Sequence, residues 1–176
     1  MDLTKREKHT RQLAVCAMLS ALGVVLLYMG ALIEVIDISM AVIASLLCVF
    51  AVIEYGGSAP WLVFAVTGVL SLLLSPRTPS MMYVVFFGYY PILKEKLEAK
   101  GKKISWIFKE VIFNVALVIM LVLLKTLFMT TADIPIELVV IAVVLAELVF
   151  VLYDFALTRL ISLYIFKIRS RLKIKK

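Results

Sequence analysis

The chain is poor in the residues that carry most enzyme chemistry. It has one histidine, His9, and two cysteines, Cys16 and Cys48. A metal centre built on imidazole or thiolate ligands needs several such groups at close spacing. Neither a phosphate-binding glycine loop nor a nucleophile elbow is present. We therefore expect no enzyme activity, no resident cofactor and no metal site, with His9 a solvated tail residue. Charge is also scarce: Asp, Glu, Lys and Arg make up 18% of residues. The two cysteines fall in apolar runs, where they read as packing residues that say nothing about redox compartment. The net charge of +7 does not come from a soluble basic face, so a nucleic-acid partner is not expected.

What the chain has instead is apolar length. The apolar fraction is 64%, against roughly 45–50% for soluble domains. A soluble chain of 176 residues has too little interior to hide that surface. The stretch from Leu13 to Ile33 is 21 residues without a charge, enough to cross a hydrocarbon core of roughly 30 Å as a helix. It is longer than the core of a signal peptide and further apolar runs follow, so it reads as an anchor.

Six such runs are expected, at about 13–33, 38–55, 61–74, 81–93, 105–129 and 136–166. The 1–12 segment is a basic tail and 167–176 is a second one. Gly56-Gly57-Ser58 with Pro60 marks a turn, and Ser75 to Ser80 with two prolines marks a stiff loop. The 94–103 segment, with five lysines against Glu95 and Glu98, reads as the main inner loop. Lysine and arginine decide sidedness. The segments 1–12, 54–60, 94–103 and 167–176 hold 15 of them, and 34–37, 75–80 and 130–135 hold one, Arg77. The expected fold is thus an all-α integral membrane protein. It is a compact six-transmembrane-helix bundle in the plasma membrane, with both termini in the cytoplasm.

Ionisable groups inside the bilayer are site candidates by default, because each costs several kcal/mol to bury unless paired or wet. Counting from the inner helix ends, Glu110 lies about 9 Å deep and Arg159 about 10 Å, with Lys125 and Glu147 about 30 Å in. Two pairs are expected, Glu110 with Arg159 and Lys125 with Glu147. Asp154 lies one heptad below Glu147, and Asn114 one turn above Glu110. The pairs either staple helix to helix, or Lys125 and Glu147 face an outward pocket for a polar ligand. Tyr28, Tyr83 and Glu34 are further pocket candidates.

The first run carries Ala14, Ala17 and Ala21 on one side, with Ser20 and Gly23 nearby. Small residues at spacings of three and four let a second helix approach closely, which in lipid is a main source of association energy. That second helix belongs either to this chain or to another subunit.

A basic start, the run LAVCAMLSALGVVLLY with Ala17-x-x-x-Ala21, and six spans in a short chain resemble the substrate-binding S components of energy-coupling factor (ECF) vitamin transporters. The resemblance implies that Ala14, Ala17 and Ala21 contact the coupling T subunit. It also implies that ATPase subunits supply the energy and that the outer helix ends enclose a vitamin-like small molecule. No residues match the signatures for riboflavin, thiamine or biotin. Size and span number are also similar to those of the rod-shape protein MreD. That likeness implies a scaffold in cell-wall assembly with protein partners and no ligand. The stretch FFGYYPILKEK (residues 86–96) stands out as a motif without an assigned role.

Overall fold

The computed structural model describes residues 3–99, 101–127 and 136–169. All regular structure among them is helical, with no strand. The side chain of Glu34, the outer turn at 130–135 and the side chains of the 167–176 tail lie outside the described residues. Contacts divide the chain into two units, Met1–Val122 and Leu123–Lys176.

Among the described residues four helical stretches are long and apolar enough to cross a membrane: Arg6–Leu32, Asp37–Glu54, Ile104–Leu123 and Val139–Phe166. Their outward surfaces carry Val, Leu, Ile and Phe side chains (Leu32, Ile107, Val118, Leu148 and Phe166 among them), the pattern of a chain solvated by lipid.

In the first unit, α1 (Leu3–Leu32) includes most of the basic start as well as the apolar run. A short 3₁₀ turn, Glu34–Ile36, leads into α2 (Asp37–Glu54). Gly56 and Gly57, with φ of +61° and +55°, make the left-handed turn into α3 (Ala59–Leu74), whose first turn holds Pro60. The α3 helix has 16 residues, short for a perpendicular crossing of roughly 30 Å. The apolar run at 81–93 is not one helix. It is divided into α4 (Thr78–Met82), a π-helical turn (Tyr83–Phe87) and α5 (Tyr90–Glu98). Then α6 (Lys102–Leu127) begins, its last residues belonging to the second unit.

Side-chain contacts fix the direction of each helix in this unit. Cys16 clusters with Ala51, Ala59 and Val63, so the start of α1's apolar part meets the end of α2 and the start of α3. Farther along, the Thr67 hydroxyl reaches the Ser20 carbonyl at 3.5 Å. At the far end, Arg77 Nη1 donates to the Ala31 carbonyl at 2.9 Å. The α3 helix therefore runs parallel to α1 and packs directly on it, and α2 is antiparallel to both. The α4-to-α5 segment returns along α3: Ser80 bonds Ser71, Gly88 abuts Phe64, and Lys96 stands over the Trp61 ring. Then α6 climbs back, with Lys109 at Glu98 and Phe113 against Phe86.

The face α1 uses for this packing is made of small and slim residues. A Cβ on Gly23 would lie 2.8 Å from Thr67 Cγ2, and one on Gly30 would lie 2.9 Å from Met40 Cβ. Cys16, Ser20, Val24, Leu27 and Ala31 complete that buried stripe.

The second unit holds the end of α6, then α7 (Ile136–Leu163) and a closing π-helical segment, Tyr164–Arg169. Among its described residues Phe150, Tyr153, Asp154 and Leu157 are buried.

Candidate functional site

The alanines of α1 point away from the buried stripe. Ala14, Ala17 and Ala21 are all exposed, as are Met18, Leu22 and Val25 beside them. Ser20 and Gly23, grouped with them in sequence, are instead buried against α3. The helix thus has two small-residue faces. One is consumed by its own unit and the other is bare.

The expected pocket residues are scattered. Tyr28 is exposed, and Tyr83 is fully buried in the π-helical turn, 6.1 Å from the Phe64 ring centre. In the second unit Lys125 is exposed and Glu147 half-buried, and neither has an ion pair among the described residues. Glu147 Oε2 is buried without a hydrogen-bond partner. The structure does not bring Lys125 and Glu147 together as a pair. Glu110 belongs to the first unit. Arg159 belongs to the second, where its guanidinium stands 5.2 Å from the Phe155 ring centre. Asn114 Nδ2 donates to the Glu110 carbonyl at 3.1 Å, and Thr158 Oγ1 donates to the Asp154 carbonyl at 2.9 Å. Among the described residues there is no cluster of His, Cys, Asp and Glu able to hold a metal ion.

The strongest polar constellation lies where sequence reasoning saw only a charged loop. Lys94 and Lys109 come from α5 and α6, and their side chains are 1% and 4% exposed. Both ammonium groups converge on Glu98 Oε1, Lys94 at 2.9 Å and Lys109 at 2.6 Å. The known proteins add nothing to this arrangement. The chain matches no family model, no curated protein and no solved structure.

Burying an ammonium group costs several kcal/mol unless a charged partner and hydrogen bonds compensate it, and Glu98 supplies part of that compensation to both lysines. Burial alone would raise the Glu98 carboxyl, but hydrogen bonds and charge from Lys109 and Lys94 outweigh it and hold the group below the usual carboxylate range.

Aromatic rings frame the node. Trp61 carries Lys96 at 5.6 Å and Trp106 carries Lys109 at 5.8 Å, both measured to the ring centre. Phe86 packs on Phe87, Tyr90 and Phe113, with ring centres 5.3, 4.8 and 5.3 Å away. The FFGYYPILKEK stretch therefore has a structural role. Its Gly88 closes a π turn through a 2.7 Å bond to the Tyr83 carbonyl, and its Pro91 opens α5. Its Lys94 enters the buried node. The one available sequence signal was the i,i+4 spacing of Lys94 and Glu98 directly after a helix-starting proline.

Proposed function

We propose that the chain is the substrate-capturing membrane subunit of an ECF-type transporter, which binds a small molecule from outside and passes it on through partner subunits. In this reading the five passes of the first unit and α7 cross the bilayer six times, and both termini face the cytoplasm. The bare alanine face of α1 carries the proposal. Ala14, Ala17 and Ala21 offer a surface that a second helix can approach closely, and their own unit packs on the other side of the helix. The T subunit is the partner proposed for it, with ATPase subunits behind. Glu147, whose buried oxygen has no donor, supports a polar ligand in the membrane.

The test is capture from the native membrane. Ala17→Leu with Ala21→Leu adds bulk to the bare face and leaves the buried stripe alone. The tagged wild-type chain should retain ATPase subunits and, in native mass spectra, a bound small molecule. The double variant should keep its fold and lose the ATPase subunits by about tenfold, since 1.4 kcal/mol of lost packing suffices for that. Equal retention by both chains defeats the reading. Recovery of cell-elongation proteins with no small molecule favours an MreD-like scaffold instead.

A further inference from the structure

Two lysines meeting one carboxylate oxygen leave a mismatch beside them. Ser105 lies in the first turn of α6, four residues before Lys109 and so on the same face. Its residue is 2% exposed and its Oγ has no hydrogen-bond partner. The N-terminal end of a 26-residue helix also presents partial positive charge and unbonded backbone N–H groups. Glu98 answers both lysines through the single oxygen Oε1 and leaves the serine without a bond.

We propose that Lys94, Lys109 and Ser105 form a binding site for a phosphate group, and that the Glu98 carboxylate is the internal anion holding it in this structure. A phosphate has enough oxygens to accept from both ammonium groups and from the serine hydroxyl together, which a carboxylate engaged through one oxygen does not do. Glu98 can leave. Its side chain is 43% exposed, so swinging into water costs it little desolvation, whereas the lysines are held in the interior. The surroundings suit a phosphate that arrives at a membrane surface. Trp61 and Trp106 are half-exposed beside the node, and aromatic side chains of this kind settle at headgroup level. Lys96, Lys100, Lys102 and Lys103 add positive charge within the same short segment. The proposal does not depend on the transporter reading.

The full chain is placed in nanodiscs of phosphatidylcholine alone, of phosphatidylcholine with phosphatidylglycerol, and of phosphatidylcholine with inorganic phosphate added. Anion retention is read by native mass spectrometry and stability by thermal unfolding. Glu98→Gln removes the internal competitor and should raise anion retention about fivefold, the worth of one lysine–phosphate contact near a membrane. Lys109→Gln in the Glu98→Gln background should remove that gain. Ser105→Ala, a mild change, should weaken retention while leaving the unfolding temperature in pure phosphatidylcholine unchanged, which separates binding from folding. A gain confined to phosphatidylglycerol identifies a lipid headgroup, and a gain with inorganic phosphate as well identifies a site open to soluble phosphate. If Glu98→Gln gains with neither anion, or Ser105→Ala matches wild type with both, the site is a structural latch and the proposal fails.

Discussion

Gly88 sits where two aromatic rings leave no room for a methyl group. A Cβ there would lie 2.5 Å from Phe64 Cδ2 and 2.8 Å from Tyr83 Cε1. The Phe64 ring cannot simply turn aside, because Trp61, Tyr83 and Tyr89 pack around it with ring centres 6.1, 6.1 and 5.9 Å away. Gly88→Ala should therefore destabilise the first unit by about 1–3 kcal/mol, the usual cost of overpacking, read as a lower unfolding temperature in detergent. Glu98 sets a second expectation. Its carboxyl is held below the ordinary value, so the stability it supplies is present above the unfolded-state value of about 4.3 and is lost as pH falls through the lower folded-state value. Partial exposure tempers the effect. Glu98→Gln should cost about 1–2 kcal/mol at neutral pH and flatten the acid side of a stability-against-pH curve, while wild type loses stability there. Coinciding acid limbs for the two chains would mean that another carboxylate governs them.

At the scale of elements, α1 is held at both ends of its buried stripe. Near its basic end Cys16 packs into Ala51, Ala59 and Val63. At its exit Arg77 donates to the Ala31 carbonyl, in the last turn, where carbonyls lack helical partners and a cation is favoured by the helix dipole. Arg77→Ala should destabilise by about 1 kcal/mol, and Arg77→Lys should recover part of it, measured by thermal unfolding. The apolar runs were legible because hydrophobic length is a property of the sequence alone. The division of the 81–93 run was not. A π turn keeps the helical sense and the apolar composition, so no periodicity announces it, and only Gly88 and Pro91 hinted at a break. The buried Lys94 was hidden for a related reason. A lysine among lysines reads as solvated, and its burial follows from α6 bringing Lys109 to the same carboxylate, a contact eleven residues away from Glu98. The pairing drawn between Lys125 and Glu147 rested on equal depth, which constrains height in the membrane but not the direction in which a side chain leaves its helix.

For the whole molecule the question is how many times the chain crosses. Among the described residues four helices qualify by length and composition, whereas α3 is apolar but too short and the 81–93 run is broken into short pieces. A four-pass chain and a six-pass chain have the same parity, so both leave the two termini on one side, and a reporter at the carboxyl end cannot separate them. The loop after α3 can. Arg77 touches Ala31, which puts that loop at the end of α1 opposite to the basic start. From Cys16 to Ala31 is 15 residues of continuous α1 helix, about 22 Å of rise, and α3 keeps pace with it over that distance. Thr78→Cys should therefore react with a membrane-impermeant maleimide in intact cells, and Ala99→Cys only after permeabilisation. The native thiols, Cys16 and Cys48, are both buried and should stay silent in the parent chain. A Thr78→Cys thiol that stays unlabelled even after permeabilisation would make α3 to α5 a hairpin ending inside the bilayer. Labelling only after permeabilisation would instead place the Arg77 contact, and the exit of α1, on the inner face and the basic start outside.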